Sequence, residues 1–405
     1  MPSLDRKTLT TLVNTYLLLV LLLGLLRFPP DWLSSNGPRF PERPIAFNIE
    51  WWIGVGEAQS SHGVFHTWTP YPPLFPLLFR GMNKLSGGDP VLLVYLWWLV
   101  NALSLAILAS VILRLRGFSA GLGTVLVFSI STSFVGIGIQ ADQFDLLPCA
   151  LLGLGILGLS KNRPLEAGIA AGVGAATKVF PGLLAFVALG LLPRRDGFLF
   201  ILGLGLSLVI SLLPFYLADS DTFMSTWRWS LAREGWESIY TYPDLKLPPM
   251  PAAETLTRPV TSPLPSTESN WSPPLWMLIL AQGTLVFWLR KRSDRSCLDF
   301  SRGALASVLL LLLLSRGCSS YYSAWVMGLL FLVYSCRPAM LLAGALLLVA
   351  NLEWIAWSPA GSSDLPFYWV SIFGRHILFA ILLVDVLRRI GSPAPIPPAQ
   401  PSPVR

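Results

Sequence analysis

Charged residues are scarce in this chain of 405 amino acids: they make up 13% of it, whereas 53% of the residues are hydrophobic. An average soluble domain carries about twice that share of charge, so the composition excludes a soluble globule. The hydrophobic residues form continuous runs of Leu, Ala, Val and Gly, whereas a membrane barrel would show short alternating strands. The sequence therefore predicts an all-α polytopic membrane protein with roughly 10–12 membrane helices.

Cysteine and histidine are also rare, with four and three residues. The cysteines are Cys149, Cys297, Cys318 and Cys336. Their positions follow no metal-ligand spacing and are typical of small hydrophobic residues. His62 and His66 lie four residues apart, but no HExxH arrangement includes them. We therefore expect no metal site and no cofactor.

The net charge of +7 comes from basic residues at the ends of the hydrophobic runs, where they act as topology signals, so no nucleic-acid partner is expected. The positive-inside rule assigns these residues to the cytoplasm. They are Arg6, Lys7, Arg114, Arg116, Lys161, Arg163, Arg194, Arg195, Arg290, Lys291, Arg292, Arg337, Arg388 and Arg389. The assignment is consistent only if run 165–192 folds back as a hairpin that turns near Lys178, Pro181 and Gly182; Arg80 and Lys84 remain exceptions on the exterior.

This topology predicts one transmembrane domain over residues 1–390 and a disordered Pro-rich cytoplasmic tail over 391–405. Exterior loops are expected at about 29–86 and 218–274, with an interfacial helix in each. Nearly every segment rich in polar or aromatic residues then faces one compartment. The sequence therefore predicts a single site on the exterior face.

Two acidic segments are candidates for that site. Glu50 precedes Trp51 and Trp52, which are suited to anchoring an interfacial helix. Residues 140–145 read Gln-Ala-Asp-Gln-Phe-Asp between two hydrophobic runs, where a carboxylate next to lipid is costly. Asp142 and Asp145 can serve a site or keep a turn hydrated, and Asp145 can also cap the helix that follows.

Four elements resemble the GT-C superfamily of membrane glycosyltransferases, which use polyprenyl-phosphate sugars. They are the acidic first loop with Tyr71-Pro72-Pro73-Leu74, the Gly138-Ile139-Gln140 turn, the small-residue helix from Ala167 that ends in Lys178-Val179-Phe180-Pro181, and Arg233-Glu234-Gly235-Trp236-Glu237-Ser238. The last element resembles the mannosyltransferase branch. The resemblance covers about residues 1–240 and, more loosely, the last four spans. The usual catalytic residue of the first loop is Asp, whereas this chain has Glu50.

The resemblance implies an inverting transferase that moves a hexose, with mannose expected, from a polyprenyl-phosphate donor to a lipid or glycan acceptor. The site would face the periplasm or exterior of a bacterial plasma membrane. Glu50 is the implied general base, and Asp142 supports it or replaces it. The predicted substrate-binding residues are Tyr71, Gln140, Asp145, Lys178, Arg233, Glu237, Arg316, Tyr321 and Arg375.

Other interpretations remain open for single residues and for the whole chain. Lys178 can snorkel to the interface, Arg316 can be a helix-end charge, and Arg375 can pair with a buried carbonyl or carboxylate. A transporter or flippase for a lipid-linked saccharide is the main alternative function. The absence of an internal repeat and the position of the carboxylates at span ends favour an enzyme. A structural subunit of an envelope-assembly complex would tolerate Ala at Glu50 and Asp142.

Overall fold

The computed structural model describes residues 71–134, 145–232, 275–293, 296–315, 318, 322–356 and 365–392. These ranges hold thirteen α-helices, one 3-10 turn and no strand, which confirms the all-α prediction. The helices are α1 Leu74–Ser86, α2 Pro90–Arg116, α3 Phe118–Phe134, α4 Leu146–Ser160, α5 Pro164–Ala175, α6 Leu184–Leu191, α7 Arg194–Ala218, α8 Ser220–Ala232, α9 Leu275–Arg292, α10 Cys297–Leu314, α11 Ser323–Val333, α12 Cys336–Ala356 and α13 Leu365–Arg389.

Four of the described helices are long and apolar enough to cross a membrane: Tyr95–Arg116, Arg194–Ala218, Cys297–Leu314 and Trp369–Arg389. The outward face of α7 carries Phe198, Ile210 and Leu217, which are 65%, 66% and 73% exposed. So much exposed apolar surface would be costly in water but suits contact with lipid. The chain is an integral membrane protein.

The run 165–192 forms the predicted hairpin. Helix α5 ends at Ala175, a 3-10 turn covers Phe180–Leu183, and α6 continues to Leu191. At about 1.5 Å per residue, the 12-residue α5 rises about 18 Å, which is less than the roughly 30 Å hydrocarbon core of a bilayer. Neither limb of the hairpin is long enough to span a membrane alone.

The basic helix ends meet at one end of the bundle. Ser160 Oγ lies 3.0 Å from Cys297 Sγ, which joins the end of α4 to the start of α10. Arg290 donates from Nε to the carbonyl oxygen of Leu189 over 3.1 Å, and Cys336 Sγ donates to the carbonyl oxygen of Ser119 over 3.1 Å. We call this the basic end, defined by Arg116, Ser160, Arg292, Cys297 and Arg389.

Helix α10 begins at Cys297, seven residues before the continuous apolar run that starts at Ala304 in the sequence. Ser296 caps it by accepting a hydrogen bond from the Asp299 backbone N–H over 3.2 Å. Asp299 and Arg302 are both buried and form an ion pair of 3.2 Å within the helix. These charges interrupt the apolar run in the sequence, but they neutralise each other in the structure, so the helix continues through them.

The chain beyond α13 is also attached at the basic end. Gly391 N–H donates to Asp299 Oδ1 over 3.3 Å, and Arg302 Nη1 donates to the carbonyl oxygen of Ser392 over 3.0 Å. The first two residues of the predicted 391–405 tail therefore pack on α10. Residues 393–405 lie outside the described residues.

Both predicted exterior loops contain a helix in their described parts. Helix α1 buries Phe75 and Phe79 against Trp97 of α2, with ring centroids 5.8 and 6.1 Å apart. Asp219 directly precedes α8, and its carboxylate accepts hydrogen bonds from the Thr222 N–H and hydroxyl over 2.9 Å each. The remaining parts of these loops lie outside the described residues.

Small residues set the position of the hairpin. A Cβ added to Gly168 would overlap the carbonyl oxygen of Phe200, and a Cβ added to Gly203 would overlap that of Leu165. Helices α5 and α7 therefore approach through their backbones, as small-residue interfaces in membranes do. On the other side of α5, a Cβ added to Gly158 of α4 would lie 2.9 Å from the Ala167 side chain. Helix α5 is held between two neighbours with little room to move.

Candidate active site

A buried ion pair lies at the turn of the hairpin, away from the basic end. Lys178 Nζ is 2.5 Å from Asp145 Oδ1, and the two side chains are 8% and 4% exposed. Asp145 directly precedes α4, and Lys178 follows α5. The pair therefore ties the start of α4 to the segment that follows α5.

Three aromatic rings surround the ammonium group of Lys178. Nζ lies 5.8 Å from the ring centroid of Tyr71, 5.0 Å from that of Tyr322 and 5.2 Å from that of Trp325. These distances allow cation–π attraction, which strengthens where water is excluded. The Tyr-Pro-Pro-Leu turn reaches this place because Leu74 N–H donates to the Ala176 carbonyl oxygen over 3.1 Å.

Trp325 is the second hydrogen-bond donor to Asp145. Its Nε1 donates to Asp145 Oδ1 over 2.6 Å. The indole lies between two rings, with the Phe180 centroid 4.1 Å away at an interplanar angle of 15° and the Tyr322 centroid 4.2 Å away at 27°. This three-ring stack fixes the direction of the indole N–H.

Two alternative interpretations from the sequence were wrong. Asp145 occupies the N-cap position of α4, but its side chain makes no cap hydrogen bond, because it is turned towards Lys178 and Trp325. Lys178 does not snorkel to an interface, since it is buried and paired.

The structure brings together three of the nine predicted substrate-binding residues: Tyr71, Asp145 and Lys178. Arg375 is fully buried in α13, which packs on α12 and α10, and its role in binding stays a prediction. The predicted catalytic residues Glu50 and Asp142 lie outside the described residues. The same holds for the predicted binding residues Gln140, Arg233, Glu237, Arg316 and Tyr321.

Three residues of the site were missed in the sequence: Phe180, Tyr322 and Trp325. A signal was present, because Tyr322 and Trp325 lie one turn apart at the start of an apolar run. An aromatic pair at that place resembles an interfacial anchor, and its contact with Asp145 joins residues 180 positions apart. Such a contact is decided by tertiary packing.

The described residues contain no group of three or more His, Cys, Asp and Glu residues that could hold a metal ion. His62 and His66 lie outside them, so the expectation of a metal-free site stays a prediction. Within the described part, the chemistry available at the site is a carboxylate, an ammonium group, two phenols and an indole. This set can bind hydroxyl groups and an anionic group.

The chain was compared with known protein families and solved structures. The chain is similar in fold to a crystal structure of ArnT from Cupriavidus metallidurans bound to undecaprenyl phosphate, with a TM-score of 0.50 and 12% sequence identity. The similarity covers 95% of this chain and 78% of that one, and it agrees with the GT-C-like fold that the sequence motifs imply. No match was found among curated proteins. The family model "Glycosyltransferase family 87" matches residues 68–316, which is more than half of the chain. The protein belongs to glycosyltransferase family 87.

Proposed function

We propose that this membrane glycosyltransferase moves a hexose, with mannose as the first candidate, from a polyprenyl-phosphate donor to a lipid or glycan acceptor. The observation that carries the proposal is the buried Asp145–Lys178 pair, enclosed by aromatic rings away from the basic end. A buried charged pair with aromatic walls suits a ligand that carries both hydroxyl groups and an anionic phosphate.

The chemistry needs a base and a cation. A carboxylate removes the proton from the acceptor hydroxyl while its oxygen bonds to the anomeric carbon, and the polyprenyl phosphate leaves with the bonding electron pair. Glu50 is the proposed base, with Asp142 as its support or replacement. Lys178 is the described cation best placed to stabilise the departing phosphate, because it lies in the site between Asp145 and the aromatic rings, away from the basic end.

The finer points of the proposal have separate support. The Arg233 to Ser238 element resembles the mannosyltransferase branch, which favours mannose and, by analogy, inversion at the anomeric carbon. The ArnT structure is bound to undecaprenyl phosphate, which supports a polyprenyl-phosphate carrier. The remaining proposed binding residues are Tyr71, Gln140, Asp145, Arg233, Glu237, Arg316, Tyr321 and Arg375.

Transfer should depend on Glu50. In reconstituted membranes with labelled polyprenyl-phosphate mannose and the glucose and galactose equivalents, we expect Glu50→Gln to lower kcat about 10²- to 10⁴-fold, because Gln cannot accept the proton. Glu57→Gln is the matched control, since it removes a carboxylate of the same loop and should retain parental transfer.

Unchanged transfer by a folded Glu50→Gln protein would exclude Glu50 as the base and leave Asp142 to be tested by Asp142→Asn. Lack of transfer from all three donors by the parent would contradict the proposed function.

One observation, the hairpin, favours the alternative function of a transporter or flippase. Broken helices that hold a buried charge at membrane depth are typical of transporters. A flippase would move fluorescent lipid-linked saccharide across sealed vesicles without cleaving the sugar–phosphate bond. Membership in a glycosyltransferase family favours the transferase, for which we expect bond cleavage and no translocation.

The orientation in the membrane can be tested with the native cysteines. Cys297 is exposed at the basic end, whereas Cys149 and Cys318 are buried. If the basic end faces the cytoplasm of a bacterial plasma membrane, a membrane-impermeant maleimide should leave the parent unlabelled in intact spheroplasts and label it after lysis. Leu85→Cys adds a thiol at a 74% exposed position near the end of α1 and should be labelled in intact spheroplasts. Labelling of the intact parent at Cys297 would reverse the orientation and remove the support for an exterior site.

A further inference from the structure

Asp145 uses only one of its two carboxylate oxygens within the described part of the chain. Oδ1 accepts hydrogen bonds from Lys178 Nζ and Trp325 Nε1, over 2.5 and 2.6 Å. Oδ2 is buried and has no hydrogen-bond partner among the described residues. Buried carboxylate oxygens are normally hydrogen-bonded, so this atom calls for an explanation.

The orientation of the carboxylate is fixed by its surroundings. The Trp325 indole cannot turn away from Oδ1, because Phe180 and Tyr322 stack on its two faces. Lys178 is held on the same oxygen and is surrounded by three rings. Rotation of the carboxylate would break both strong hydrogen bonds, so Oδ2 keeps one direction.

The chemistry of Oδ2 selects the group that can bind it. A carboxylate oxygen only accepts hydrogen bonds, so its ligand must donate one. The phosphodiester of a polyprenyl-phosphate sugar has no proton to donate at neutral pH and would be repelled, whereas a sugar hydroxyl donates readily. Lys178 already balances the charge of Asp145, so a neutral donor adds no further charge to the buried site.

We propose that Asp145 Oδ2 accepts a hydrogen bond from a ring hydroxyl of the transferred sugar, and that Trp325 is the positioning residue that aims it. This inference rests on the proposed function, and it assigns Asp145 to the sugar and not to the phosphate. It makes Asp145 the residue that discriminates among hexoses that differ at a single hydroxyl.

The test compares full donors with monodeoxy donors in the full-length protein. In the parent, one polyprenyl-phosphate monodeoxyhexose should show kcat/KM about 10- to 100-fold below that of the full donor, as expected for a lost hydrogen bond to a charged group. We call the kcat/KM of the full donor divided by that of the monodeoxy donor the deoxy ratio. In Asp145→Asn, the deoxy ratio should shrink to less than about fivefold, because the amide offers only a neutral partner. Equal ratios in parent and variant would overturn the proposal, as would a parent that tolerates each single deoxygenation.

Trp325→Phe tests the positioning role and leaves the ion pair in place. It keeps an aromatic ring in the stack but removes the Nε1–H donor, so the deoxy ratio should fall several-fold towards that of Asp145→Asn. Trp288→Phe is the matched control: it removes another buried indole N–H near Arg292, at the basic end, and should leave the ratio at the parental value. A parental ratio in Trp325→Phe would show that the indole does not aim Asp145.

Two binding measurements separate this inference from the proposed function. Sugar-free polyprenyl phosphate should bind parent and Trp325→Phe, which leaves the ion pair in place, within about twofold of each other; a large loss would place Asp145 on the phosphate and overturn the inference. If the parent transfers no hexose, the inference is decided by methyl hexosides at high concentration. They should raise the unfolding temperature of the parent but not of Asp145→Asn, and equal shifts would overturn it.

Discussion

Lys178→Met should lower the free energy of unfolding by about 3 to 5 kcal/mol, the usual cost of removing one partner from a buried ion pair. Asp145 would keep its bond from Trp325, but its charge would remain at a depth where it is only 4% exposed. Sugar transfer should also be lost, because the ammonium group that we propose as the partner of the leaving phosphate is gone. Chemical denaturation in mixed micelles and the transfer assay measure the two effects separately.

The double variant Lys178→Met/Asp145→Asn separates stability from function. It removes both charges, so most of the lost stability should return, to within about 1 to 2 kcal/mol of the parent, as two coupled sites require. Transfer should stay absent, because no cation replaces Lys178. If the double variant is as unstable as the sum of its single variants, the two side chains do not act as a pair. If it transfers sugar at the parental rate, Lys178 has no role in the reaction.

The membrane helices could be predicted well from composition because each apolar run must close its backbone hydrogen bonds within itself. The hairpin could be predicted as well, but from the positions of the basic residues and not from hydrophobic periodicity. A chain that turns back near Lys178 keeps these basic residues on one side of the membrane. The start of α10 could not be predicted from the same pattern. In the sequence, the charged residues Asp299 and Arg302 look like the end of an apolar run. Only their ion pair makes them compatible with a buried helix.

Three of the six described residues of the site were predictable from the sequence, but the contacts between them were not. Tyr71, Asp145 and Lys178 were each marked by a polar or aromatic type beside a hydrophobic run. The sequence also placed them on one side of the membrane. Their pairing depends on how α4, α5 and α11 pack, since Asp145 contacts residues 33 and 180 positions away. For the same reason, the cap interpretation of Asp145 followed from local rules and failed once Lys178 and Trp325 competed for the carboxylate.

Gly203→Ala should be among the most damaging single-methyl changes in the chain. The added Cβ would overlap the carbonyl oxygen of Leu165, and backbone atoms cannot move aside as a side-chain end can. Helix α5 must then shift away from α7, at a cost of about 3 kcal/mol, the upper part of the range for overpacked sites. Because Lys178 lies only three residues after the end of α5, its bond to Asp145 should lengthen and sugar transfer should fall with stability.

Gly205→Ala is the matched control two residues along the same helix. A Cβ there meets nothing within 4 Å, and alanine is the better helix former by about 1 kcal/mol. This variant should be as stable as the parent or slightly more so, with parental transfer. The same unfolding and transfer measurements on the pair decide whether backbone contact or helix propensity governs α7. Equal destabilisation by the two variants would show that glycine matters here for flexibility, and that the α5–α7 contact does not hold Lys178 in place.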